Sequence, residues 1–90
     1  MVRYYLGKNH PGIYLTQHEA FCVARLLQNF MDDDIGKILN LSPRTVSFYV
    51  RNVSMKLKCK DRTQLIETIR QTDFMKYLDI LTKLPALYNQ

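Results

Sequence analysis

Ninety residues, 47% of them hydrophobic and few of them Gly or Pro, describe one folded domain and exclude a disordered chain. No apolar run is long enough to span a bilayer, and the opening Met1-Val2-Arg3-Tyr4-Tyr5 lacks the apolar stretch of a signal peptide, so a cytoplasmic protein without a membrane partner is expected. The net charge of +5 is concentrated: residues 41–70 hold seven bases (Arg44, Arg51, Lys56, Lys58, Lys60, Arg62 and Arg70) against Asp61 and Glu67, the segments on either side each balance to zero, and such a local positive field suits a polyanion.

Residues 1–14 read as an aromatic arm with strong turn chemistry at Asn9-His10-Pro11-Gly12. A first helix follows. Thr16 is placed to cap it and Glu19 stands three residues on, which is the spacing of a capping box. Cys22, Val23, Leu26, Leu27 and Phe30 give that helix an apolar face. A second, short helix starts near Asp32. Asp32, Asp33 and Asp34 suit the positive end of its dipole and lack the spaced ligands and internal Gly of a calcium loop. Ile35, Ile38 and Leu39 supply its buried side, and Gly36 permits close approach of another helix.

Asn40 tolerates the left-handed conformation that ends a helix. Leu41 is apolar, and Ser42 then caps a third helix with Pro43 at its first position. A short helix, a tight turn and an immediately capped second helix make a helix-turn-helix pattern. Helix 42–57 places Val46, Tyr49, Val50, Val53 and Leu57 on one side. Its other side carries Arg44, Thr45, Ser47, Phe48, Arg51, Asn52 and Ser54, with no carboxylate at all. A surface selected for solubility alone would mix both signs. Hydroxyls, Arg, Asn and one apolar ring are what a groove-reading surface uses.

Lys58-Cys59-Lys60 forms a basic connector. Asp61 caps a fourth helix, with Gln64 in the capping-box position and an apolar stripe of Leu65, Ile66 and Ile69. Beyond Thr72 and Asp73 a last helical pattern runs to Leu84, ahead of Pro85. Phe74, Tyr77, Leu78, Leu81 and Leu84 line one side of it, and Lys76, Asp79 and Lys83 the other. Its stripe is expected to cover the core together with Tyr4, Tyr5 and Tyr14, the alternatives being dimerisation or a different partner.

Cys22 and Cys59 read as two reduced thiols, since no His, Cys or carboxylate lies at metal-ligand spacing from either. His10 and His18 read as structural or exposed. No Ser/His/Asp or Cys/His arrangement and no Gly-rich phosphate loop is suggested. Neither an enzyme nor a cofactor is expected.

The motifs together resemble a known family. Leu15-Thr16-x-x-Glu19, then Ile35-Gly36-x-x-Leu39-x-Leu41-Ser42-Pro43-x-Thr45-Val46, then Lys56-Leu57 and Leu65, look like the DNA-binding domain of LuxR-type (GerE-type) bacterial transcription regulators. The resemblance covers roughly residues 15–70. It implies an all-α fold, a four-helix LuxR-type helix-turn-helix domain at 15–71; the N-terminal arm at 1–14 and a C-terminal helical extension at 72–90 lie outside what it covers. It also implies that the third helix enters the major groove of double-stranded DNA and that the fourth pairs two copies on a two-fold operator. Leu65, Ile66 and Ile69 are then the expected dimerisation residues of a homodimer, and RNA polymerase is a further candidate partner.

In that frame Ser47, Phe48 and Arg51 are the expected base contacts. Arg44, Thr45, Lys56, Lys58 and Lys60 are the expected phosphate contacts, and Ser42 caps the reading helix. Departures from the family pattern bear on affinity more than on fold. His18 replaces the usual Arg, Asn29 the usual Gly, Gly36 the usual Ala and Tyr49 the common His. Met31 stands where Ser or Thr usually caps the second helix, so capping is expected to shift to Asp32. Asp33 stands where the family often has Lys, and carboxylates there would weaken phosphate binding. The alternative is an interaction module that keeps the fold but has weak or lost operator binding.

Overall fold

The computed structural model describes residues 2–83. Two short strands, β1 (Tyr4–Tyr5) and β2 (Tyr14–Leu15), precede five α-helices: α1 (Gln17–Leu27), α2 (Asp32–Leu39), α3 (Pro43–Lys56), α4 (Arg62–Arg70) and α5 (Leu78–Lys83). A 3₁₀ helix, Asp73–Tyr77, leads into α5. The fold is all-α apart from the two-residue antiparallel ladder, in which Tyr4 faces Leu15 and Tyr5 faces Tyr14.

The capping box at the start of α1 forms as its spacing predicts. Thr16 Oγ1 accepts from the Glu19 amide, and the Thr16 amide donates to Glu19 Oε1 at 2.9 Å. The helix does not behave as a one-sided surface helix. Ala20, Phe21 and Ala24 are buried together with Cys22, Val23, Leu26 and Leu27, because α2, α3, α5 and β2 all pack on it. α1 is therefore the central element, and Phe30, beyond its end, is only half-buried.

Asn29 at φ 70° and Asn40 at φ 58° take the left-handed conformation that their side chains tolerate. They set the two sharp turns on either side of α2. Asp32 is not the cap of α2. Met31 holds that position and makes no side-chain cap, while Asp32 is the first helical residue and its carboxylate is engaged elsewhere. Asp33 and Asp34 stay exposed in the first turn, where the helix dipole stabilises them.

The turn between α2 and α3 closes on Gly36. The Leu41 amide donates to the Gly36 carbonyl at 2.8 Å, and a Cβ at residue 36 would run into the Leu41 carbonyl oxygen. The close approach foreseen for this glycine is thus made chiefly by the turn backbone, with the start of α3 at Pro43 next to it.

The two chain ends cover the rest of the core. The arm is a small hairpin whose Leu6 carbonyl accepts from the Asp73 amide at 3.1 Å. Tyr4 meets Phe74 and Tyr77 edge-on, with ring centroids 6.5 and 5.1 Å apart. Leu6, Phe74 and Leu81 are fully buried, so core covering is the role the described part of the extension performs. The single helix expected there is broken into a 3₁₀ segment and α5. Thr72 Oγ1 caps the first by accepting from the Phe74 amide at 3.2 Å. Leu84 and Pro85 lie outside the described residues.

Gly36→Val is expected to lower stability by about 2 kcal/mol, the scale of overpacking a site that backbone already fills. Thermal or urea unfolding of the variant measures it, and an unchanged midpoint would show that the turn relaxes freely.

Candidate nucleic-acid interface

Helix α3 begins as a well-capped helix should. Ser42 Oγ accepts from the Thr45 amide at 3.1 Å and lies 2.9 Å from Thr45 Oγ1, with Pro43 at the first helical position. Val46, Val50 and Val53 are buried against α1 and α2. The β-branched side chains cost some helix propensity, which their burial outweighs.

The opposite face is open. Arg44, Phe48, Arg51 and Met55 are exposed, with Phe48 at 53% and Met55 at 69% relative accessibility. Ser47, Asn52 and Ser54 are half-exposed beside them. Phe48 does not fold back under α2; its ring lies edge-to-face with that of Tyr49, centroids 5.6 Å apart. Met55 belongs to this face although the sequence reading passed over it. It lies four residues after Arg51 and seven after Phe48, a helical spacing that marks it. A shallow groove of about 280 Å³ runs along one flank, lined by Ser47, Arg51, Ser54, Met55, Lys60 and Arg62 among others.

Two ion pairs fix α3 and its neighbours. Lys56 Nζ donates to Glu19 Oε1 at 2.6 Å and to the Tyr14 carbonyl at 2.8 Å. Glu19 is only 4% exposed, so Lys56 neutralises a carboxylate in the core. This ammonium, expected on a phosphate, is engaged by the Glu19 carboxylate and the Tyr14 carbonyl. The second pair joins α2 to α4. Arg62 donates through both terminal nitrogens to Asp32, at 2.6 and 2.7 Å. That fork raises the Arg62 pKa and takes one of the three carboxylates out of play.

Leu65 and Ile69, expected at a dimer surface, are fully buried in the core of the single chain. Periodicity identified the apolar stripe but not what it faces, and it faces the domain's own core. Ile66 alone of the three is partly exposed. At the start of α4, Asp61 caps by accepting from the Gln64 amide at 2.8 Å. The Gln64 side chain reaches back to the Lys60 amide at 2.6 Å, one residue earlier than a capping box would place it.

Lys58 and Lys60 are exposed in the loop between α3 and α4. Lys58 holds a left-handed backbone, φ 56°, which lets the Cys59 amide close the end of α3 on the Ser54 carbonyl at 2.8 Å. Cys22, within α1, is fully buried. Burial, and then the Asp32 and Glu19 carboxylates, push its thiol up to about 12, so it remains protonated and unreactive at neutral pH. Both cysteines are free.

The family model for bacterial regulatory proteins of the luxR family matches residues 14–69. The chain belongs to the LuxR family. It is 42% identical over 61 residues to the transcriptional activator protein LuxR of Aliivibrio fischeri, covering 68% of this chain and 24% of that protein. A second LuxR, from another strain of the species, is 42% identical over 52 residues, 58% of this chain and 21% of its own. The chain thus spans about a quarter of the length of these relatives. No solved structure matches it significantly.

Within this LuxR-type domain the bases of residues 41–70 fall into two sets. Lys56 and Arg62 hold the domain together, and Arg70 donates to the Leu27 carbonyl at 3.2 Å. Arg44, Arg51, Lys58 and Lys60 are left exposed.

Two outcomes follow from this division. Lys56→Ala strands a buried carboxylate and is expected to destabilise by about 3 kcal/mol, the low end for a broken buried pair because the lysine keeps some solvent contact. The double variant Glu19→Gln/Lys56→Met should unfold much closer to the native midpoint, and equal losses in both would remove the ion pair as the cause. Lys58→Gly relieves the left-handed strain and is expected to gain about 0.5–1 kcal/mol in denaturant unfolding.

Proposed function

We propose that this LuxR-family domain binds double-stranded DNA sequence-specifically as part of a bacterial transcription regulator, with α3 lying in the major groove. The observation that carries the reading is the open face of α3. It holds no carboxylate, and it presents Phe48 at 53% exposure between Arg44 and Arg51. An exposed ring on a soluble surface costs hydration and is explained by an apolar partner such as a thymine methyl. Arg51 would donate a pair of hydrogen bonds to guanine O6 and N7, and Ser47 would donate or accept at a neighbouring base edge. Met55 extends the apolar contact by one turn.

Arg44, Thr45, Lys58 and Lys60 would hold phosphates and set the register without reading sequence. The capped start at Ser42 adds backbone amides near the sugar-phosphate chain. Lys56 supports these contacts indirectly, by fixing the end of α3. The two relatives are named as transcriptional activators, which fits the role. Two copies would sit on a two-fold operator in the cytoplasm, at the nucleoid, with RNA polymerase as a downstream partner. Of the expected fourth-helix residues, only Ile66 has surface to offer a second copy.

A second reading, a module that keeps the fold without operator binding, draws on Asp33 and Asp34, exposed at the start of α2. Its weight is reduced because Asp32 is neutralised by Arg62. The readings separate on random duplex DNA: phosphate contacts give binding at low salt that falls steeply as salt rises, and the rival gives none.

In a binding-site selection on the purified chain, Arg51→Ala is expected to relax preference at one position, a loss of about 1–3 kcal/mol of discrimination. Arg44→Ala should weaken binding evenly across sequences. Unchanged affinity and preference in Arg51→Ala would refute the readout.

A further inference from the structure

The N-terminal hairpin brings a cation to α3 that the groove reading above does not use. The Arg3 guanidinium lies over the Tyr14 ring, 4.6 Å from its centroid. Lys56 Nζ lies 5.1 Å from the same centroid, so one tyrosine connects Arg3 to the last residue of α3. Tyr5 packs tilted against Tyr14 at 5.5 Å and steadies the ring from the neighbouring strand. Glu19 neutralises Lys56. Among the described residues the ion pairs are Glu19–Lys56, Asp32–Arg62 and Asp79–Lys83, so Arg3 has no carboxylate partner. It is exposed and positive beside the C-terminal end of α3.

The flank of α3 that meets the hairpin is defined by spacing. Thr45, Tyr49 and Lys56 recur at four and eleven residues, which puts them on one stripe. Tyr49 meets His18 at the start of α1, with ring centroids 5.2 Å apart, and Lys56 meets Tyr14 and Glu19. A helix in the major groove has a phosphate backbone along each flank. Thr45 stands at one end of this flank and the hairpin at the other, about 16 Å away along the helix. Arginine stacked on an aromatic ring is already ordered, so it loses little freedom on meeting a phosphate.

We propose that the hairpin is a second DNA-contacting element, in which Arg3, held on Tyr14, takes a backbone phosphate beside the C-terminal end of α3. Strand β1 lies outside residues 14–69 matched to the family, so this contact is one that the shared domain does not supply. The inference rests on α3 as the groove helix, and its test separates the two.

Binding of the full 90-residue chain to a random-sequence duplex is measured across a salt series, with Arg3→Ala, Arg3→Lys and Lys8→Ala beside the native chain. Arg3→Ala is expected to weaken binding equally on all sequences. It should also reduce the slope of log affinity against log salt by about one. Arg3→Lys, which keeps the charge, should retain the native slope. Lys8→Ala removes an exposed charge at the hairpin turn and should also retain it. An unchanged slope in Arg3→Ala, or an equal drop in Lys8→Ala, overturns the inference while leaving the α3 reading intact. No binding by the native chain at low salt overturns the α3 reading, and this inference with it.

Discussion

One carboxylate oxygen organises the domain. Glu19 Oε1 accepts from the Thr16 amide, which starts α1, and from Lys56, which ends α3. A buried carboxylate cannot remain charged without such partners, because desolvation would cost far more than the domain's net stability. Lys56 in turn donates to the Tyr14 carbonyl, so the second hairpin strand is tied to the same point. The position of α3 relative to the central helix therefore follows from satisfying a single acid. The other end of α3 is set by the turn on Gly36, where backbone meets backbone and leaves no room for a side chain. The Asp32–Arg62 fork closes the frame by joining the starts of α2 and α4. With both ends fixed and three valines buried between them, α3 can leave its outer face free of structural duties.

That freedom explains the charge pattern. A domain with an excess of bases must keep them apart or neutralise them. Here Lys56, at the end of α3, and Arg62, at the start of α4, are neutralised by carboxylates distant in sequence. Of the bases in residues 41–70, Arg44, Arg51, Lys58 and Lys60 are left open, on α3 and the loop after it. Net charge in residues 41–70 overstates the field available to a ligand, since Lys56 and Arg62 each face an acid from outside that segment. The outer face of α3 itself still carries bases and no acid.

What the sequence made legible was local. Thr16, Ser42 and Asp61 cap helices by bonds that span three residues, and all three form as their spacing implies. Asn29 and Asn40 mark turns through their own backbone preference. What local spacing leaves out is long-range. The pairing of Lys56, expected on a phosphate, with Glu19, 37 residues away, is not visible in it. Asp32 reads as a cap until Arg62, 30 residues away, takes its carboxylate. Leu65 and Ile69 form a genuine apolar stripe, but periodicity cannot say whether the domain or a second copy covers it. Phe48 and Met55 show the converse. Their exposure depends on α2 and α4 leaving that face uncovered, which the packing of those helices decides.

The ends of the chain make a related point about size. A domain of fewer than sixty residues buries a modest share of its surface and has little stability to spare. Here Leu6, Phe74 and Leu81, all outside residues 14–69, are fully buried in the same core as α1 and α4. The Leu6–Asp73 backbone bond and the Tyr4, Phe74 and Tyr77 rings lock the two ends to each other. A hairpin of two-residue strands would not hold its shape alone. Anchored in this way it does, and a fixed hairpin presents Tyr14 and Arg3 at a defined place beside α3. Packing that completes a small core thus also sets the geometry at the edge of α3, which is how an element outside the shared domain comes to bear on the same surface.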